Sequence, residues 1–164
     1  MKKKYYIVSS VIITFILFSF LGINSVMALM IKMTTPELTK QAQAIIRGKV
    51  TDMRSEWGPE RRFIWTLVTI SVSRCIKGDT RPGQEVVLKI PGGVVGPIGQ
   101  LTEDTPIFKK GEDVLLFMNP EVYRGKKVFR VTGNFQGKHT IKNNMVIEKK
   151  IPLATFLGQI EGAM

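Results

Sequence analysis

The sequence predicts a mainly β domain, a single small barrel with short flanking helices, and three observations lead there. Residues 63–76 alternate in the manner of one long strand, with Ile64, Thr66, Val68, Ile70 and Val72 on the more apolar face and Trp65, Leu67, Thr69, Ser71 and Ser73 on the other. Strand-like runs outnumber helical ones, and no βαβ rhythm or internal repeat accompanies them. Short runs broken by Gly and Pro also favour a curled β domain with few free edges over a doubly wound sheet.

The chain opens on Lys2, Lys3 and Lys4, followed by residues 5–31 without a charged side chain. That pattern predicts a signal segment over residues 1–28, with Val26-Met27-Ala28 as the small-residue cleavage pattern. The uncharged run also exceeds the roughly 20 residues that cross a bilayer as a helix, so an uncleaved anchor stays open as the alternative. Either way the lysines stay cytoplasmic and residues 29–164 form one extracytoplasmic domain, secreted or membrane-tethered. Membrane contact is then expected only through residues 5–31, and only if they are uncleaved. No cysteine follows the apolar run, which excludes a lipid-anchored lipoprotein.

The remaining 136 residues suffice for one core. Removing the three leading lysines from the 24 basic residues leaves 21 against 13 acids, a balance of +8. Such a charge suits an anionic surface, a wall polymer or an envelope protein, and the compartment argues against nucleic acid. Cys75 is the sole cysteine, so the domain has no internal disulfide and rests on its core. Cys75 and His139, more than 60 residues apart, offer no zinc-ligand spacing, and no cofactor is expected.

Along the chain, Thr34 and Glu37 have capping-box spacing and Pro36 suits an early helical position, which predicts a short helix ending by Ala44. Ile46, Gly48 and Val50 then share one strand face against Arg47 and Lys49. Residues 51–62 are polar and contain Trp57-Gly58-Pro59, a loop composition. After the long strand come a short one over residues 85–90, the Pro91-Gly92-Gly93 turn and a Gly-rich connection. Further strands are expected over residues 114–118, 127–131 and 138–147, the last broken at Asn143-Asn144 into a hairpin. Leu153, Phe156, Leu157 and Ile160 stand at helical spacing after Pro152. The early long strand suits an OB-like arrangement of the barrel.

Several of these strings resemble a family of exported, largely uncharacterised bacterial proteins: Ala42 through Val50, the strand end Ile76-Lys77-Gly78, Pro91-Gly92-Gly93, Phe108 through Phe117, and Gly133 through Lys138. The resemblance covers about residues 36–142 and implies export without implying an activity. A more distant resemblance is to netrin-type OB domains, which include the tissue inhibitors of metalloproteinases, through Ile45 to Val50 and Lys77-Gly78. Those inhibitors reach catalytic zinc through a disulfide-bonded N-terminal cysteine. This chain lacks both, so the resemblance implies a fold without the inhibitory site.

The best candidate contact residue is Trp57, a large aromatic in a polar segment beside Arg54, Arg61 and Arg62. Gly92 and Gly93 open a stretch whose Val94, Val95 and Ile98 suit an adaptable lip. It lacks the Gly-Lys-Ser/Thr ending of a phosphate loop. Lys126 and Lys127, in the basic run Arg124-Gly125-Lys126-Lys127, suit an anionic surface. Glu103-Asp104 and Glu112-Asp113 are sequence neighbours that point opposite ways on a strand, so neither makes a facing acid–base pair. Cys75 is expected in the core, and His139 at the surface of a polar hairpin. The leading expectation is a non-catalytic exported binding domain; an enzyme whose residues meet only in the fold and an oligomeric envelope component stand as alternatives.

Overall fold

A capping box starts the first helix, α1, Thr35–Gln41: Glu37 N–H donates to Thr34 Oγ1 at 3.4 Å while Glu37 Oε2 accepts from Thr34 N at 2.7 Å. Those bonds from Thr34, the backbone one foremost, hold the Glu37 carboxyl below its ordinary value. The structure is a computed structural model that describes residues 31–164. The signal segment expected over residues 1–28 lies outside the described residues. Among the described residues no helix is long and apolar enough to cross a membrane.

Two 14-residue strands follow, β1 (Ala44–Trp57) and β2 (Ile64–Lys77), paired antiparallel along almost their whole length. β1 therefore takes up most of the segment expected as a loop over residues 51–62. Its polar side chains are exposed or half-buried, and the strand is held by its backbone pairing with β2. β3 (Glu85–Pro91) pairs with β2, and a small hairpin, β4 (Gly93–Val95) and β5 (Ile98–Gln100), occupies the expected Gly-rich connection. β6 (Asp113–Tyr123) and β7 (Lys126–Val131) make a second long hairpin. A 3-10 turn at Asn134–Gly137 leads to β8 (Lys138–Lys142) and β9 (Met145–Val146). Asn143 and Asn144, both left-handed with φ of 51° and 58°, make the two-residue turn between them. β10 (Ile151–Pro152) and helix α2 (Leu153–Glu161) close the chain.

The barrel and OB-like closure expected from the sequence are corrected by the sheet topology. The main sheet is not closed into a barrel: its order runs β1-β2-β3-β7-β6-β8-β9-β10 and ends on a two-residue edge strand. β3 and β7 are joined by one parallel bridge, Leu88 with Phe129. β1 also pairs with β6, from Ala44 opposite Met118 to Lys49 opposite Asp113, so the sheet curls tightly. The continuation of β6 onto β8 carries it outward. Register shifts in β1 between Ile45 and Ile46, Arg47 and Gly48, and Val50 and Asp52 supply the local twist that lets one strand serve two neighbours.

Curling divides the apolar side chains into two layers. Ile46, Val50, Val68, Ile70, Leu88, Leu116, Met118 and Phe129 belong to the core on the concave side. Ile45, Leu115 and Phe117 point the other way, against Leu38 of α1 and Leu153, Phe156 and Ile160 of α2. This is why residues 114–118 read as an unbroken apolar run: both faces of that strand are buried. Gly48 sits where β1 presses on β2, and a Cβ there would stand 2.5 Å from the Ser71 carbonyl oxygen and 2.6 Å from Ile70 Cγ2. Gly48→Ala is expected to cost about 2 kcal/mol through that backbone clash. The urea midpoint of the variant checks it, and an unchanged midpoint would contradict the tight approach.

Candidate binding surface

The turn joining β1 to β2 is built around Gly58, whose N–H donates to Phe63 O at 2.7 Å and whose carbonyl accepts from Arg61 N at 3.0 Å. Gly58 is buried against Trp65, leaving no room for a Cβ. This tight closure turns Arg61, Arg62 and Phe63 outward. Arg62 pairs with Glu60 at 3.2 Å, but both side chains are exposed and the pair contributes little. Arg54 lies on β1 opposite Leu67, exposed.

Gly92 and Gly93 meet the same end of the sheet. Gly92 N–H donates to Ile64 O at 2.9 Å, its carbonyl accepts from Thr66 Oγ1 at 2.7 Å, and Ile64 N–H donates to Gln100 Oε1 at 2.7 Å. Gly93, at φ 138°, lies so close to Ser55 Oγ and Thr66 Oγ1 that any Cβ would collide with both. The two hydroxyls are bonded to each other at 2.9 Å. The Gly-Gly step is thus a packing requirement that seats the β4–β5 hairpin on β1 and β2.

The tip of the β6–β7 hairpin reaches this end too. Arg124 Nη2 donates to Trp57 O at 2.7 Å and Arg124 Nη1 stands 3.5 Å from Glu56, which also accepts from the Tyr123 hydroxyl at 3.2 Å. Burial first, and then the bond to Glu56, raises the Tyr123 phenol above its ordinary pKa. Tyr123 and Val128 cluster with Leu67, backed by Trp65 and Val87. Lys89 sits in their midst, its Nζ 4.2 Å from the Trp65 ring centre and 5.2 Å from that of Tyr123, ion-paired with Glu121.

The structure therefore gathers Trp57, Arg61, Arg62, Gly92 and Gly93 at one end. Trp57 is half-buried at the end of a strand, not displayed in a loop. Lys126 follows the hairpin tip, exposed, whereas Lys127 turns toward Asp79, 4.0 Å away, and over the Phe129 ring. Arg124 belongs to the basic run Arg124-Gly125-Lys126-Lys127, whereas Tyr123 and the Lys89 cage carry no motif in the sequence. Their only local signal was the alternation of Trp65 with Leu67 and of Val87 with Lys89 on outward positions.

Beside these residues an open groove of about 410 Å³ runs along the rim of the curled sheet. Met53, Val68, Ile90, Leu101, Ile107 and Phe108 supply its apolar lining, with Thr66, Glu103 and Asp104 among its polar atoms. It has the apolar walls and sparse polar groups of a binding groove and no reactive constellation.

The two reactive residue types lie elsewhere. The Cys75 thiol, half-buried near the end of β2, donates to the carbonyls of Lys77 at 3.4 Å and Gly78 at 3.6 Å. His139, expected at the surface, is buried in the helix-side core, and the reason is period-two alternation: it shares its strand face with Ile141. Its ring packs edge-on to Phe156 at 4.7 Å and Phe117 at 5.8 Å, and neither ring nitrogen has a hydrogen-bond partner. Among the described residues no group of three or more His, Cys, Asp or Glu side chains is arranged to hold a metal.

No protein-family model matches this chain, and no curated protein does.

Proposed function

We propose that this protein is a non-catalytic binding domain, exported and acting at the cell envelope or outside the cell. One observation carries the reading: separate segments of the chain are tied together at a single end of the sheet. Arg124 anchors the β6–β7 hairpin to the Trp57 carbonyl, and Gly92 anchors the β4–β5 hairpin to Ile64, the register partner of Trp57. The outcome is a rigid aromatic and basic surface beside an apolar groove, the composition that anchors interfaces. A nucleophile–base pairing of Cys75 with His139 finds no support, since the thiol is bonded to carbonyls and the imidazole is enclosed by aromatic rings.

Both tryptophans of the chain, Trp57 and Trp65, stand at this end, so their emission reports on it directly. Adding the organism's envelope fraction is expected to change that emission. Trp57→Ala is expected to weaken the response about tenfold or more, the loss typical of an interface anchor. An emission unaffected by the fraction, or the same titration midpoint with and without Trp57, would overturn the proposal.

A further inference from the structure

We infer that the partner of this surface is the lipid bilayer itself: the groove end docks on an anionic membrane, its apolar rim entering the headgroup boundary. The inference rests on the binding reading above and names the partner.

Large apolar side chains crowd this end. Leu101 is 96% exposed, Ile107 78%, Val94 67%, Phe63 58% and Ile98 50%, and Met53 borders the same groove. Apolar exposure of this density marks a surface that is covered in use. The residues are carried on narrow supports, a two-strand hairpin and a loop, and not on a broad flat face. That shape suits insertion among lipid headgroups better than the matched, flat packing of a protein interface.

The exposed apolar rim continues onto the 3-10 turn. Met33 N–H donates to Gln136 Oε1 at 2.7 Å, which ties residue 33 to the 3-10 turn. The same turn touches the groove wall, where Phe135 N–H donates to Asp104 O at 3.2 Å. Phe135 is itself 46% exposed.

Charge fits an anionic surface more broadly than locally. Residues 29–164 carry +8, and Arg54 and Arg61 are exposed. Glu103 and Asp104 lie within the groove, so the attraction comes from the domain as a whole and from the arginine rim.

The test uses the full chain, vesicles in which about one third of the phospholipid is anionic, and brominated acyl chains as quenchers. Residues 1–30 contain no tryptophan, so quenching reads this end of the domain alone. Trp emission is expected to be quenched, with the midpoint shifted at least tenfold to higher lipid in Leu101→Asp and in Ile107→Asp. Both sites are exposed, so both variants are expected to keep the parent's thermal midpoint. Absence of quenching, or equal quenching in parent and variants, would overturn the lipid assignment. If vesicles fail while the envelope fraction still changes the emission, the binding reading stands with a protein or polymer as partner; if both fail, both fall.

Discussion

Lowering the pH from 7 to 4 is expected to destabilise the domain by about 3 kcal/mol through one side chain, His139. Burial, followed by the charges of Lys149 and Lys138, pushes its imidazole from an ordinary 6.5 down to about 4. The unfolded chain takes up a proton near 6.5 while the folded chain resists until about 4. Unfolded molecules therefore bind more protons in that window, and the contribution, complete above the upper value, is lost as pH falls through it. Charge facing the ring comes from Lys138 on its own strand and from Glu148 and Lys149 after β9; β6 and α2 present the rings of Phe117 and Phe156. Glu148 Oε2 lies 4.0 Å from Nδ1, beyond hydrogen-bond reach, and accepts from Thr140 N. His139→Leu keeps the apolar packing and removes two unpaired nitrogens, so it is expected to hold its stability at pH 7 and flatten the decline. Urea midpoints of both proteins at pH 7 and 4 decide this; parallel declines would show that the acid sensitivity lies with the carboxylates.

Glu112→Ala is expected to cost about 3 to 4 kcal/mol, because it leaves a buried ammonium without its counter-charge. Glu112 Oε1 accepts from Lys138 Nζ and from Thr140 Oγ1, both at 2.7 Å, and Oε2 accepts from Lys109 N at 3.0 Å. The two charged side chains are only 10% and 13% exposed, and Lys138 also lies 5.2 Å over the Phe108 ring. Burial alone would raise the Glu112 carboxyl, but the bonds from Lys138, Thr140 and Lys109 outweigh it and leave its pKa lowered. Lys138→Met is expected to cost less, since Glu112 keeps the Thr140 hydroxyl and the Lys109 amide. Denaturant midpoints of the two single variants and of Glu112→Leu with Lys138→Met check the asymmetry. The double variant should recover part of the loss, and additive losses would mean that the pair is not coupled.

Local features were legible in the sequence. Thr34 and Glu37 form the expected capping box, Asn143 and Asn144 make the expected turn, and Ile64, Val68, Ile70 and Val72 are buried along β2 as their alternation required. Leu153, Phe156 and Ile160 are the buried stripe of α2. The polar run Thr51 to Trp57 has the composition of a loop, and its strand character comes from pairing with β2. His139 is buried although Lys138, Thr140 and Lys142 around it are polar, and its shared face with Ile141 is the sequence signal for that. The Lys89 cage was out of reach, since Trp65, Lys89, Glu121 and Tyr123 come from three strands.

By itself, then, the sequence determined the β character of the domain, its turns, its helix starts and the inward side of its longest strand. These depend on a residue and its near neighbours, through side-chain alternation, caps and backbone preference. Only the tertiary structure decided that the sheet curls without closing, that a histidine is enclosed by two phenylalanines, and that Trp57, Gly92 and Arg124 meet at one rim. Each of those depends on pairing between distant segments. Sequence spacing does not encode such partners, because a strand presents the same alternating edge to every neighbour and only the packed whole selects among them.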